Sequence, residues 1–258
     1  YSYFTSSVPT PTLPLPTDQQ KTKIATAEQE VLAAELRVRQ LAGKSNVADA
    51  ATILQQRIAN PTATDAPLIP GQVAELNFDE GTFSENTLVD SPHGKAIRLT
   101  GDHSVDVKVG NFPRWQPFTV STWLQTPTAF ERCVVFHRSR AWTDAASRGY
   151  ELLIEGGHLS AALIHFWPGN ALRIRSVAPL TVDKWQQVTM TYDGSSKAAG
   201  LKLWLDGKPL ATEIVRDNLT RNITGGGGDT INIGERFRDK GFANGLVDEF
   251  RVFDRELT

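Results

Sequence analysis

Lys184–Leu210 reads KWQQVTMTYDGSSKAAGLKLWLDGKPL, two alternating segments joined by a turn. Val188, Met190 and Tyr192 alternate with Gln187, Thr189 and Thr191, and Leu201, Leu203 and Leu205 alternate with Lys202, Trp204 and Asp206. A period of two makes one face of each strand apolar. Asp193-Gly194 opens the connection and Gly200 closes it, while Asp206-Gly207 starts a second turn, because glycine tolerates the φ > 0 of tight hairpin turns. The stretch predicts a β-hairpin with one core-facing side. Its outward Thr, Gln and Lys residues offer little specific chemistry.

On both sides of the hairpin the chain continues in the same manner. Candidate strands are 73–78, 95–99, 104–109, 117–125, 132–138, 149–155, 158–166, 171–176, 185–192, 201–206, 209–215, 230–234 and 245–253, punctuated by Gly, Pro, Asn and Asp. Many short strands without intervening helices predict a mainly β, two-sheet antiparallel sandwich or jelly roll over 73–258. Cys133–Phe136 and Leu159–Ile164 are apolar on both faces, as suits strands covered on both sides.

The N-terminal part differs. Residues 1–18 hold Pro9, Pro11, Pro14 and Pro16 and read as an extended linker or docked arm. Ile24, Ala27, Val31, Ala34, Val38 and Leu41 are spaced as an a/d stripe, predicting a helix over 19–42. A second helix is expected over 47–59, capped by Ser45 or Asn46 and ended by Pro61, making 19–60 a helical hairpin. Two readings of it stand side by side, a hairpin completing the sandwich core and a coiled coil for a partner. Residues 61–72 form a second linker.

Across 258 residues, 27 Lys and Arg balance 29 Asp and Glu, a net charge of −2 that points neither to nucleic acid nor to an anionic membrane. No apolar run reaches the roughly 18 residues of a membrane span. The opening Tyr1-Ser2-Tyr3-Phe4, with no initiator methionine or signal-peptide pattern, gives the expectation of a piece of a longer protein. The single Cys133, inside an apolar run, is expected to be a buried small hydrophobe.

Three segments carry a family resemblance. Phe118–Leu124 (FTVSTWL) resembles the FTVSxW strand of laminin G-like domains. Trp185–Asp193 with Leu201–Lys208 resembles their W-x-x-V-x-x-x-Y-D-G…L-x-L-x-x-D-G-K hairpin, and Gly245–Leu257 (GLVDEFRVFDREL) resembles their closing strand. The resemblance implies a concanavalin A-like lectin/glucanase sandwich with its two ends adjacent. Phe136–Asp144, Ile223–Asp229 and the helical stretch further resemble parts of large planctomycete-type, cytochrome c-associated bacterial proteins. That resemblance implies an exported, periplasmic or envelope-associated parent. No C-x-x-C-H motif is present to attach haem here.

Three constellations could carry chemistry. Glycoside hydrolysis uses two carboxyls across a cleft, and laminarinase-like relatives of the resembled fold carry them as E-x-D-x-x-E or E-x-D-x-E on one strand. Here Glu151 and Glu155 share a strand face, but the central Asp is missing, and the two read as solvent-facing residues or salt-bridge partners. Asp79 ends the first strand and Asp248 lies in the last, so pairing of those strands would bring together oxygen ligands for a possible structural calcium. The third is basic and aromatic. Arg138, Arg140, Trp142 and Arg148 lie in one connection, and His165 and Trp167 in the next. Arg173 follows on a strand face, and Arg236 and Arg238 come from a third region with Arg221 and the Gly225–Gly228 run. Converging loops would build a groove of stacking rings and planar forks for glycans, carboxylates or sulfates. The opposing reading pairs these arginines with Asp144, Glu151, Asp229, Glu235 and Asp239 and lays the tryptophans over the core.

The leading expectation is a non-catalytic module that binds a glycan or a protein surface within a larger exported protein. A spacer or docking insert between flanking domains is the alternative, and a glycoside hydrolase the third reading. No nucleic-acid partner or membrane insertion is expected.

Overall fold

The structure is a computed structural model that describes residues 16–42, 69–142 and 147–257. The proline-rich arm up to residue 15, the second helix expected over 47–59 and Asp144 lie outside the described residues.

Helix α1 spans Asp18–Ala42 and, up to Val38, lies in a compact unit separate from that of the sandwich. Its first turn is closed by a reciprocal capping box. Gln20 N–H donates to Thr17 Oγ1 at 3.3 Å, and Thr17 N–H donates to Gln20 Oε1 at 2.8 Å. Ile24, Val31 and Val38 of the apolar stripe are exposed. No described helix is long and apolar enough to cross a membrane.

The β unit is two antiparallel sheets. Its strands are β1 (Gln72–Leu76), β2 (Thr87–Ser91), β3 (Gly94–Arg98), β4 (Val105–Asp106), β5 (Phe118–Gln125), β6 (Arg132–Arg138), β7 (Gly149–Glu155) and β8 (His158–Phe166). They continue as β9 (Asn170–Ser176), β10 (Gln186–Tyr192), β11 (Leu201–Leu205), β12 (Lys208–Pro209), β13 (Thr212–Asn218), β14 (Asn232–Ile233) and β15 (Leu246–Phe253). Among the described residues one sheet has eight strands in the order β12-β11-β10-β5-β15-β3-β2, with β1 also on β15. The other has seven, β13-β9-β8-β7-β6-β14-β4.

The opening hairpin is β10–β11, with Val188 opposite Leu205, Met190 opposite Leu203 and Tyr192 opposite Leu201. Val188, Met190, Tyr192, Leu201 and Leu203 are buried. The Asp206-Gly207 turn to β12 has φ of 50° and 73° at its two central residues, the paired positive φ of a type I′ turn. The core between the sheets is aromatic at one end. Phe118 lies 4.6 Å from Tyr150 and 5.0 Å from Phe112, ring centre to ring centre. The Tyr150 hydroxyl donates to the Gly110 carbonyl at 2.8 Å, which satisfies its polar end. Cys133 is a buried free thiol in this core, as its apolar context predicts.

Two strand expectations differ from the structure. β2 has no counterpart among the predicted strands, because it is short, pairs on one side only with β3 and buries neither face. The expected single strand 209–215 is two. Leu210 N–H still bonds Leu203 in one sheet, whereas Ala211 O accepts from Val177 N–H at the other, so the chain crosses between sheets at 210–211.

Candidate functional site

Along β7, Tyr150, Leu152 and Ile154 point into the core, so Glu151, Leu153 and Glu155 point to the outer face of the seven-stranded sheet. Register then lines up His137, Glu151, Ala162 and Arg173 across β6, β7, β8 and β9. Ala162 is too small to separate its neighbours, and the Arg173 guanidinium reaches Glu151 Oε1 above it. Glu151 Oε2 accepts from Arg236 Nη1 at 2.5 Å. Arg236 also binds Asp239 Oδ2 through Nη2 at 2.5 Å. Arg132 bridges Asp239 Oδ1 at 2.8 Å and Glu155 Oε1 at 2.5 Å. Three arginines and three carboxylates thus form one neutral lattice, and Glu151 at its centre is 1% exposed.

The two tryptophans pack on this lattice. The Trp142 ring centre lies 3.7 Å from the Arg132 guanidinium carbon and 5.0 Å from that of Arg236, and Trp167 lies 4.1 Å from Arg173. These are cation–π distances. A continuous chain therefore runs Trp142–Arg236–Glu151–Arg173–Trp167. Both rings remain half-exposed, and Phe166 (53%), next to Trp167 in sequence, and Phe237 (62%), next to Arg236, are exposed.

Burial pushes the Glu151 carboxyl up, but Arg236 and Arg173 outweigh it and hold it below the ordinary range. Burial likewise raises Asp239, and Arg132 and Arg236 bring it below its usual value. His137 is driven down to about 4 by burial and by the Arg236 charge. Its Nε2 faces the Glu235 carbonyl at 2.9 Å and its Nδ1 the Ser139 hydroxyl at 3.0 Å. A carbonyl only accepts, so neutral His137 carries its proton on Nε2.

The connections that carry these residues meet at one end of this sheet. His165 Nδ1 lies 2.6 Å from the Asn222 carbonyl, and Asn170 Oδ1 accepts from Thr220 and Arg221 N–H. Trp142 N–H donates to the Phe237 carbonyl at 3.1 Å. The Gly225–Gly228 run packs on Arg140 and Arg148, and a Cβ on Gly228 would collide with the Ser139 carbonyl, so the loop is glycine for close approach. Arg140 is exposed, Arg148 half-buried, and Arg238 lies 5.3 Å over Phe237.

One candidate is corrected. Arg138 does not join the face, because it pairs in register with Tyr150 and so points to the core side. There its buried guanidinium meets the Ile223 carbonyl, Asn111 and Asp229. Arg173 and Arg236 do join, yet both are spent on Glu151. Of the two readings of Glu151, solvent-facing or salt-bridge partner, the second holds. Arg132, absent from the candidates, proves to be a hub. Its place on the Glu151 face follows from the β6–β7 register, which has a bulge between Val134 and Phe136 that simple alternation does not reveal.

Asp79 and Asp248 come together, as strand pairing predicts. Burial raises the Asp248 carboxyl, and the Asp79 charge adds to that rise against the hydrogen bonds from Ser91 and Glu249 N–H. Ser91 Oγ donates to Asp248 at 2.5 Å, and Lys95 N–H donates to Asp79 at 3.0 Å. Among the described residues no group of three or more His, Cys, Asp or Glu gathers as a metal centre. A calcium held by this pair would draw its other oxygens from backbone or water.

Comparison with known proteins adds the family. The model for the concanavalin A-like lectin/glucanases superfamily matches residues 99–258. Among solved structures, the binding domain of Paraclostridial Mosquitocidal Protein 1 is similar with TM-score 0.57 and 15% identity, over 73% of this chain and 50% of that one. The botulinum neurotoxin serotype G binding domain gives 0.53 and 15%, over 72% and 48%. The serotype D ligand binding domain, solved in complex with N-acetylneuraminic acid, gives 0.52 and 14%, over 73% and 48%. At these identities the likeness is one of fold, and this chain spans about half the length of each. Curated protein sequences provide no match. The two-sheet architecture and the family match over 99–258 agree, and the chain belongs to the concanavalin A-like lectin/glucanase superfamily.

Proposed function

We propose that the sandwich is a non-catalytic glycan-binding module whose platform is the Trp142–Trp167 pair on the outer face of the seven-stranded sheet. The observation that carries this reading is the backing of both rings. Each lies on guanidinium groups locked by Glu151, Glu155 and Asp239, so the rings are held before a ligand arrives. Sugar rings stack on such surfaces through their C–H faces, and a fixed platform reduces the ordering cost of binding. The exposed Arg140 and Arg238 at the rim suit carboxylate or sulfate substituents.

The state of Glu151 argues against hydrolysis. A glycosidase acid needs a raised pKa and access to the scissile oxygen. Glu151 is buried, ion-paired and held below the ordinary range. Membership of a larger exported protein, with flanking domains as further partners, belongs to the same proposal and is supported by the sequence resemblance.

Glycan-array binding of the wild type against Trp142→Ala and Trp167→Ala tests the reading. Selective binding lost in both variants supports it, and equal retention on all neutral and anionic glycans sinks it. A structural calcium at Asp79 and Asp248 is a separate proposal. Its support is a calcium-dependent rise in Tm that EDTA reverses and Asp248→Asn abolishes, and an unchanged Tm removes it.

A further inference from the structure

The outward side of the β10–β11 hairpin holds a second surface. One transverse row crosses the eight-stranded sheet: Glu75, Arg251, Ser121, Thr189, Trp204 and Pro209, directly opposed on β1, β15, β5, β10, β11 and β12. Directly opposed residues project to the same face. In the middle of the row stand two small hydroxyl residues, with a guanidinium on one side and an indole on the other. The surface therefore dips between Arg251 and Trp204 into an open trough of about 310 Å³. Gln187 and Thr191 extend its floor, and Ile69, Phe253 and Leu257 make it apolar on the remaining side. This volume is at the small end of ligand clefts.

The trough is built rather than loose. Trp204 Nε1 donates to Thr191 Oγ1 at 3.2 Å, which sets the ring. Ser121 and Thr189 share a hydrogen bond of 2.8 Å. Arg251 Nε donates to Glu75 at 2.8 Å, and its Nη2 pairs with Glu249, so two carboxylates cancel its charge. An anionic ligand gains nothing here. The Gln187 side-chain amide makes no hydrogen bond among the described residues and offers both donor and acceptor to the trough. The floor strands β5 and β10 are paired on both sides, which leaves no backbone edge for an incoming peptide strand.

We propose that this trough is a second binding site, for an uncharged sugar residue of a glycan chain. The apolar ring face would lie on Trp204, and the hydroxyls would meet Gln187, Thr189 and Ser121. The site lies on the sheet opposite the Trp142–Trp167 platform and is independent of that proposal.

Titration of the full chain with neutral hexasaccharides, cellohexaose and laminarihexaose, read by the indole N–H resonances in ¹⁵N NMR, tests it. The expected result is a saturable shift of the Trp204 resonance. Affinity falls at least about tenfold, ~1.4 kcal/mol, in Gln187→Ala, read on the Trp204 resonance, and in Trp204→Ala, read by isothermal titration calorimetry. Thr189→Arg, which fills the exposed trough without touching the core, abolishes the shift even if Trp204→Ala fails to fold. A Trp204 resonance unmoved by either sugar overturns the proposal. So does an affinity unchanged in Thr189→Arg, or a concentration-dependent self-association that Thr189→Arg removes and the sugars do not affect. The Trp142 and Trp167 resonances report the other platform separately, so failure of one site is distinguishable from failure of the other.

Discussion

Glu151 and Arg173 stand on β7 and β9, which do not pair with each other, yet they form an ion pair above Ala162 of the strand between them. The pair exists because position 162 carries only a methyl group. Arg236 reaches the other oxygen of the same carboxylate from the 234–245 connection, so one carboxylate satisfies two buried guanidinium groups.

Glu151→Gln should therefore destabilise the fold by about 3–5 kcal/mol, because it leaves two buried arginines sharing too few negative charges. Urea unfolding monitored by tryptophan fluorescence measures it. A loss under about 1 kcal/mol would show that the lattice is not a buried unit. Ala162→Leu should cost about 1–3 kcal/mol by overpacking the gap.

Stability should fall as pH drops from neutrality toward 4. His137 has its folded pKa depressed from 6.5 to about 4, so between these values the unfolded chain binds more protons and gains. That gap corresponds to about 3 kcal/mol, fully present above pH 6.5 and lost as pH falls to about 4. Glu151 and Asp239, held below their ordinary values, add loss of the same sign at still lower pH. Glu235, Asp248 and Glu249, raised chiefly by burial, contribute in the opposite sense as pH rises through their range. Denaturation midpoints at pH 7 and 4.5 should differ less in His137→Gln than in the wild type, and an identical difference would remove His137 as the cause.

The Cys133 thiol should resist alkylation in the native protein. Burial pushes its pKa up to about 12, which removes the thiolate that iodoacetamide attacks. Mass spectrometry should show labelling only after denaturant is added, and rapid native labelling would contradict the buried placement.

Gly207→Ala should cost about 1 kcal/mol through backbone conformation alone. The residue has φ of 73°, and an added Cβ there meets nothing within 4 Å. Gly207→Asn should cost less than Gly207→Val, since Asn tolerates the left-handed region. Equal thermal shifts for the two would point to a contact rather than to φ.

The hairpin, the FTVSTWL strand and the closing strand were legible because alternation and glycine turns are local properties. The lattice was legible only in part. Arg173–Glu151 and Arg236–Asp239 follow the ion-paired reading of the arginines, but no sequence rule shows that β8 supplies an alanine where they cross. Arg138 misled because one residue of register separates the outer face from the core face. Trp204 was visible as an outward residue. Its partner across the trough, Arg251, lies 47 positions further along the chain, and only strand order brings them to one surface.

The antiparallel pairing of β1 with β15 sets Gln72 opposite Phe253, so the chain enters and leaves the sandwich side by side. A module with this layout can be spliced into a surface loop of a host protein without pulling the host's own backbone apart. The trough beside Trp204 is lined by Ile69, Phe253 and Leu257 at that entry and exit, whereas the Trp142–Trp167 platform lies on the opposite sheet.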